Sequence, residues 1–342
     1  MGRYTLSTTM RELFSDPLLI SLRKYLIYKP QYGTAASWSS DRLDQIPDLS
    51  LQACANGWAA ESVVRGLNLL AEQIELDQMH PFFIYDKDPC LDDPMKADVN
   101  LIRLMPKGGG QTLCKKKPYI ILAGGGAYQW VSTMTESLPT AVHMVERGYT
   151  VFLLTYRVNT DKAALKSLDD LGAAIRYISV HKREMGIETD AYAVGGFSAG
   201  ANLISNFGIP DLGYKKHNLS KPQALFPIYT FIDLKTRSRH NCIEGLLQPM
   251  FGEQYDKFID EYNIIDRINS EFPPCYIVCG KDDMSVPPDN SERLKKLLDL
   301  AGVPAVLEEG AHAPHAFGEG KGTDVEGWPD RAIDFLEKLM HL

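Results

Sequence analysis

Hydrophobic and polar positions follow two different patterns along the chain, which change near residue 97. Beyond that point, short apolar runs alternate with stretches of helical period. The runs that predict strands are residues 99–105, 118–123, 149–156, 191–196, 224–231, 274–279 and 304–308. The stretches that predict helices are residues 133–148, 162–185, 290–301 and 329–339. Because buried strands alternate with helices, we predict an α/β fold with a mostly parallel central sheet and helices on both faces.

Residues 1–95 lack this alternation. Their strongest signal lies between residues 55 and 76, where Val63, Leu67, Leu70 and Ile74 recur at helical spacing. We therefore predict two parts, a mainly helical N-terminal extension over residues 1–95 and an α/β domain over residues 96–342. The extension either packs against the α/β domain or covers a functional site as a lid, and the sequence leaves both open.

Charge and composition narrow the classes of partner. The chain carries 36 Lys and Arg against 44 Asp and Glu, a formal net charge of −8. Nucleic acids and anionic membranes select clustered basic residues, so we expect neither as a partner. No stretch approaches the roughly 18 consecutive apolar residues of a membrane-spanning helix. Arg11 and Glu12 interrupt the apolar stretch that a signal peptide would need, so we expect no signal peptide. The six cysteines show no CxxC spacing, so we expect free thiols and a cytoplasmic protein.

The most informative segment is VGGFSAG at residues 194–200, which contains Gly196-x-Ser198-x-Gly200. It lies between a predicted strand and an apolar helix that begins near Ala199. A serine in such a tight strand-to-helix turn is held in a strained conformation, and side chains two residues to either side would clash. The helix N-terminus also favours negative charge that develops there. We therefore predict that Ser198 is a nucleophile.

A serine hydroxyl is a weak nucleophile and needs a base that is oriented by an acid. Two aspartates, Asp282 and Asp283, follow the last predicted strand but one, and two histidines, His312 and His315, follow the last. The carboxyl ends of parallel strands meet at one edge of a sheet, where such sites lie. The residue types alone leave open which aspartate and which histidine take part. Pro314 prevents the histidines from sharing a helical face, so we expect no zinc site from them.

A run of three glycines, residues 124–126, follows Ala123 at the end of the predicted strand 118–123. Glycines let backbone N–H groups approach a ligand without obstruction by side chains. Two of these amides, with that of Ala199, could hold the oxyanion of a tetrahedral intermediate. The run does not fit a phosphate-binding loop, because neither Gly-Lys-Ser/Thr nor GxGxxG spacing is present.

From about residue 97 to its end the chain resembles the hormone-sensitive-lipase-like branch of the α/β-hydrolase fold. Within that branch it is most similar to bacterial esterases of the acetylxylan-esterase and feruloyl-esterase-like group. The stretches that carry the resemblance occur in the family's order: LAGGGAYQW, Tyr156-Arg157, GGFSAGANL, KPQALFPIY, GKDDMSVPPDNS and PHAFG.

The resemblance implies a role for each site residue. The motif G-x-x-D-x-x-V-P places the acid on Asp283, and the motif ending H-A-F-G places the base on His315. The oxyanion donors fall on Gly125, Gly126 and Ala199. The chain departs from the family at Ala123, where relatives commonly have a histidine before the glycine run. Any support that this histidine gives the loop is therefore absent here.

The resemblance further implies a serine carboxylic ester hydrolase that acts on short acyl esters, including acetyl esters of saccharides. A small-molecule ester would be the partner, and neither a metal nor an organic cofactor is required. The same triad could also serve an amidase or a peptidase. A non-catalytic binder on this scaffold would be expected to lack a triad member, whereas this chain has candidates for all three. Because His315 must be neutral to act as a base, we expect activity to fall below about pH 6 to 7.

Overall fold

The structure is a computed structural model that describes residues 2–30, 46–55, 58–77, 80–86, 88–107, 117–235 and 244–342. Within these ranges, no helix combines the length and the apolar character needed to cross a membrane. Four of the six cysteines, Cys54, Cys90, Cys275 and Cys279, are free thiols, as predicted. Cys114 and Cys242 lie outside the described residues. The cellular compartment stays a prediction.

A single eight-stranded sheet organises the described residues. Its strands are β1 Phe82–Phe83, β2 Asn100–Leu104, β3 Tyr119–Ala123, β4 Val151–Thr155, β5 Tyr192–Phe197, β6 Leu225–Ile228, β7 Cys275–Gly280 and β8 Ala305–Gly310. Their spatial order is β1-β2-β4-β3-β5-β6-β7-β8. The pairs β1–β2 and β2–β4 are antiparallel and all others are parallel. The predicted mostly parallel sheet is confirmed.

Twelve α-helices surround the sheet within the described residues. They are α1 Met10–Ser15, α2 Arg23–Leu26, α3 Leu51–Cys54, α4 Ala60–Asp77, α5 Pro89–Asp92, α6 Leu138–Glu146, α7 Ala163–Val180, α8 Ala199–Gly208, α9 Glu244–Phe251, α10 Asp256–Tyr262, α11 Asp289–Leu300 and α12 Trp328–Met340. A π-helical turn, Thr133–Ser137, leads directly into α6. Every residue of β3 to β7 is buried, so both faces of the sheet's centre are covered.

The observed elements differ from the predicted ones mainly at their ends. Every predicted strand is present, but the strand predicted for residues 224–231 ends at Ile228. The reason is Tyr229, whose left-handed φ of 39° turns the chain out of the sheet. The helix predicted for residues 162–185 ends at Val180, and the one predicted from residue 55 begins at Ala60. The pattern of hydrophobic residues did not predict β1, α9 or α10.

The N-terminal residues contribute to the same hydrophobic core as the sheet, through the apolar stripe of α4. On the polar side of α4, Ser62 donates a hydrogen bond to Glu319, which lies in the segment between β8 and α12. The other oxygen of Glu319 lies 2.7 Å from Nε2 of His143 on α6. The first strand of the sheet, β1, also belongs to this N-terminal range. The division at residue 95 and the lid stay predictions.

Candidate active site at the carboxyl edge of the sheet

Ser198 occupies the sharp turn between β5 and α8, with φ of 52° and ψ of −114°. This conformation is rare for a residue with a side chain and is held by the close packing around it. A Cβ added to Gly196 would lie 2.3 Å from the carbonyl oxygen of Gly200. One added to Gly200 would lie 2.1 Å from the carbonyl oxygen of Ala123. Both flanking glycines are therefore required by space.

His315, in the segment after β8, connects Ser198 to Asp283. Its Nε2 lies 3.0 Å from Oγ of Ser198, and its Nδ1 lies 2.7 Å from Oδ2 of Asp283. A carboxylate only accepts hydrogen bonds, so Nδ1 carries the ring proton and Nε2 is left to accept the serine proton. The three residues that the family's motifs select are thus in hydrogen-bonding order.

The Asp283 carboxylate is fixed from both sides. Its side chain is only 1% exposed, and its Oδ1 accepts the N–H groups of Ser285 and Val286, both at 2.8 Å. Oδ2 is thereby left for the imidazole. A carboxylate held in this way fixes the orientation and the tautomer of the ring.

The competing aspartate and histidine form a pair of their own. Nδ1 of His312 lies 2.6 Å from Oδ2 of Asp282, and Oδ1 of Asp282 accepts the N–H of Ala313 at 2.8 Å. The backbone N–H of His312 donates to Asp324 at 2.7 Å. No hydrogen bond joins this pair to Ser198 among the described residues. The two alternatives that the residue types left open are therefore distinguished by which histidine meets the serine.

The glycine run lies beside Ser198, at the end of β3. Gly126 has φ of 133°, and a Cβ added there would lie 2.2 Å from the carbonyl oxygen of Trp130. Among the described residues, neither the N–H of Gly126 nor that of Ala199 has a hydrogen-bond acceptor. Both amides are therefore free to donate to a ligand at Ser198.

The amide of Gly125 differs from this expectation. Its N–H donates to Oε2 of Glu136 at 2.5 Å, so it is not a free donor in this structure. An N–H group has one proton, and the buried carboxylate takes it here. Of the three expected donors, Gly126 and Ala199 have free N–H groups in the described structure and Gly125 does not, and the oxyanion role of all three stays a prediction.

Sequence reasoning missed Glu136, which lies on the π-helical turn before α6 and is 4% exposed. Its Oε1 accepts the hydroxyl proton of Tyr229 at 2.9 Å. Burial raises the pKa of this carboxyl, against the opposing hydrogen bonds from Gly125 and Tyr229 and the nearby His315. A sequence signal that could have marked it is an acidic residue between the apolar residues Met134 and Leu138 of the predicted helix 133–148.

Tyr229 links this carboxyl to the imidazole. Its ring centroid lies 4.8 Å from that of His315 and 4.7 Å from that of Phe317. The phenol is buried, which raises its pKa well above the usual value. The tyrosine therefore stays protonated, and its ring packs against one side of the His315 imidazole.

The amino-acid sequence is similar to one protein family and to several curated proteins. The BD-FAE family model matches residues 110–298, just over half of the chain, and this range contains Ser198 and Asp283. A probable carboxylic ester hydrolase of Mycobacterium tuberculosis, LipM, is 24% identical over 58% of this chain and 49% of its own length. The chain spans about half or less of the length of the first three curated relatives that it matches, 49%, 28% and 51%.

Solved structures agree in fold. An acetyl ester-xyloside bifunctional hydrolase from Caldicellulosiruptor lactoaceticus has a TM-score of 0.65 and 25% identity, covering 77% of this chain and 97% of its own. An esterase from Thermogutta terrifontis, esterase 2, has a TM-score of 0.62 and 20% identity, covering 78% of this chain and 96% of its own. The predicted α/β-hydrolase fold is confirmed.

Proposed function

Because the chain belongs to the BD-FAE family, we propose that it is a serine carboxylic ester hydrolase that works through an acyl-enzyme intermediate. The observation that carries the proposal is the chain of contacts from Ser198 through His315 to Asp283, at 3.0 and 2.7 Å. Nucleophile, base and orienting acid stand in the order that acyl transfer requires. Two free amides lie beside the nucleophile, at Gly126 and Ala199.

In the first half of the reaction, Oγ of Ser198 bonds to the ester carbonyl carbon while its proton moves to Nε2 of His315. The carbonyl oxygen becomes an oxyanion and accepts the N–H groups of Gly126 and Ala199. Each such donor is worth about 3 kcal/mol in the transition state. The C–O bond to the alcohol then breaks, and His315 returns the proton to the departing alkoxide. The acyl group is left on Ser198.

In the second half, water attacks the acyl carbon and gives a proton to Nε2 of His315. The oxyanion forms again against the same amides, the bond to Ser198 breaks, and the histidine reprotonates Oγ. Asp283 keeps the proton on Nδ1 throughout and stabilises the imidazolium in each half. The carboxylic acid is released and the serine is regenerated.

For the substrate class, we propose short acyl esters, with acetyl groups on saccharides as the first to test. The support is the similarity to the Caldicellulosiruptor lactoaceticus protein, an acetyl ester-xyloside bifunctional hydrolase, at 25% identity over 77% of this chain. Its name describes that protein, and the extension to this chain is our proposal.

The test measures hydrolysis of p-nitrophenyl esters from acetate to octanoate, and acetate release from acetylated xylo-oligosaccharides, by wild type and Ser198→Ala. We expect acetate to be the best acyl group and Ser198→Ala to lower kcat by about 10⁴-fold or more. Ser205→Ala is the matched control, because Ser205 lies further along α8 and, within the described residues, its hydroxyl bonds only to the Ala201 carbonyl of its own helix, at 2.7 Å. Turnover that survives in Ser198→Ala, or none in wild type, would refute the ester-hydrolase proposal, whereas preference for octanoate would refute its substrate class.

A further inference from the structure

We propose that Glu136 is a positioning residue that sets the oxyanion loop and the catalytic histidine relative to one another. The inference rests on the proposed function, since it concerns the same site. Glu136 does not touch Ser198 through any hydrogen bond, and it stands outside the triad and the glycine run. One carboxylate oxygen binds the oxyanion loop, residues 124–126, and the other binds Tyr229, whose ring packs against His315. We call the loop and the Tyr229 ring the two walls of the site.

The first oxygen fixes the oxyanion loop. Oε2 accepts the N–H of Gly125, which sets the plane of the peptide before that residue. The carbonyl of Gly125 accepts the N–H of Ser132 at 3.0 Å, which sets the plane of the following peptide. In a trans peptide the N–H points opposite to the carbonyl, so the Gly126 N–H is turned away from Ser132. Holding Gly125 at both ends therefore determines where the free Gly126 donor points.

The second oxygen fixes the wall behind the base. Oε1 accepts the hydroxyl of Tyr229, whose ring packs against His315. The same ring also packs edge-on against Phe317, two residues beyond the histidine. Tyr229 has a left-handed φ of 39°, a costly conformation for an aromatic residue, and is held by such contacts. Glu136 thus connects the end of β3 with the segment that carries the base.

The segment that supplies Glu136 is attached to the loop at two points. The first point is the contact between the Glu136 carboxylate and the Gly125 N–H. The second is Ser132, whose N–H donates to the Gly125 carbonyl and whose carbonyl accepts the N–H of Glu136 at 3.2 Å. The residue before the glycine run, Ala123, offers no polar atom in its side chain to support the loop. Support for the donor loop therefore comes from the π-helical turn Thr133–Ser137 and from the Tyr156 hydroxyl, which donates to the Gly124 carbonyl at 2.6 Å.

Loss of the carboxyl group would leave two donors without partners. An apolar replacement strands the Gly125 N–H and the Tyr229 hydroxyl in a buried site, so both are expected to rearrange. A glutamine keeps the shape, and its carbonyl oxygen can still accept the Gly125 N–H while its amide donates to the Tyr229 oxygen. Glu136→Gln should therefore retain the positioning that Glu136→Leu removes.

The experiment compares Glu136→Leu with Glu136→Gln in the full chain. It measures kcat and KM for p-nitrophenyl acetate, the Kd of a methyl trifluoromethyl ketone whose serine adduct carries an oxyanion, and the thermal midpoint. Misplacing a donor affects the transition state and not the bound ester. For Glu136→Leu we expect kcat and ketone affinity each to fall about 100-fold with KM changed less than about threefold. Glu136→Gln should recover both to within about tenfold of wild type.

The matched control is Ser137→Ala, the next residue on the same turn. Ser137 is buried and its hydroxyl has no hydrogen-bond partner among the described residues. We expect Ser137→Ala to leave kcat and ketone affinity within about twofold of wild type, because among the described residues the Ser137 hydroxyl bonds to neither Gly125 nor Tyr229. A similar loss in this control would overturn the assignment to Glu136, because any change in the turn would then suffice.

Two further outcomes would overturn the proposal. One is a Glu136→Leu protein with wild-type kcat and ketone affinity, and the other is an equal loss in the leucine and glutamine variants. If the Glu136→Leu protein does not fold, Tyr229→Phe is measured in its place. We then expect kcat to fall about fivefold at unchanged KM. An unchanged kcat in Tyr229→Phe would contradict the positioning role of Glu136. Failure of the proposed function is seen separately, as a wild type without Ser198-dependent turnover.

Discussion

Two aspartate–histidine pairs lie side by side at the carboxyl edge of the sheet. The inner pair is Asp283–His315 and the outer pair is Asp282–His312, with carboxylate–imidazole distances of 2.7 and 2.6 Å. Their surroundings differ. In the inner pair the side chain of His315 is 21% exposed and that of Asp283 is 1% exposed. In the outer pair the side chain of His312 is 71% exposed and that of Asp282 is 35% exposed.

The contrast shows that a short carboxylate–imidazole contact does not by itself define a catalytic dyad. What distinguishes the inner pair is the second ring nitrogen of His315, which meets Ser198. The outer pair instead braces the backbone of the histidine segment, because Asp282 accepts the N–H of Ala313. One pair reaches Ser198, and the other supports the segment that carries His315.

The largest effect that tests this contrast is expected from the histidines. His315→Ala removes the proton acceptor of Ser198, and we expect kcat for p-nitrophenyl acetate to fall by about 10⁴-fold or more. His312→Ala removes an exposed ring and should change kcat by less than about threefold. Circular dichroism of both variants shows whether they fold. If His312→Ala abolishes turnover in a folded protein while His315→Ala does not, the inner and outer pairs have been assigned the wrong way round.

The aspartates should give the next largest effect. In Asp283→Asn the amide can donate to Nδ1 of His315, which favours the ring tautomer whose Nε2 cannot accept the serine proton. We expect a loss of about 10⁴-fold in kcat near neutral pH. In Asp282→Asn the amide oxygen can still accept the Ala313 N–H, so kcat should stay within about twofold of wild type. Equal losses in the two variants would mean that the outer pair also acts on catalysis.

The parts of this site that could be predicted are those with a local signal. The turn at Ser198 has no room for a side chain at Gly196 or Gly200. This requirement is visible within five consecutive residues of the sequence. The strands of the α/β domain could be predicted because each is a short apolar run, although their ends differ from the prediction by up to three residues. The choice of the inner pair came from the family resemblance alone. Asp282 and Asp283 are neighbours of identical type, and their burial depends on packing that no local pattern expresses.

The parts that could not be predicted depend on contacts between distant segments. Glu136 meets Gly125 and Tyr229 only when three segments come together, and no motif surrounds it. The direction of the Gly125 N–H could not be predicted for the same reason, since glycine permits many backbone conformations. The strand β1 was missed because two residues are too few for an alternating pattern.

The smallest effect concerns the stability that the outer pair provides. Burial would raise the pKa of Asp282, but the hydrogen bonds from the Ala313 N–H and His312 outweigh it and lower the pKa below the usual 3.8. A carboxyl with a lowered pKa stabilises the fold above its unfolded-state pKa, and this contribution is lost as the pH falls through the folded-state value. Because the side chain is about a third exposed, solvent screening keeps the contribution small.

We therefore expect Asp282→Asn to lower the thermal midpoint by at most about 2 °C at pH 7. The difference from wild type should shrink as the pH is lowered below about 4, at every pH where both proteins stay folded. Scanning calorimetry across that range measures it, with Asp289→Asn as the control, because Asp289 is an exposed aspartate in the first turn of α11. A difference that grows toward acidic pH would have the wrong sign for a carboxylate stabilised by hydrogen bonds. It would mean that the Asp282 carboxylate destabilises the fold and does not support the segment that carries His315.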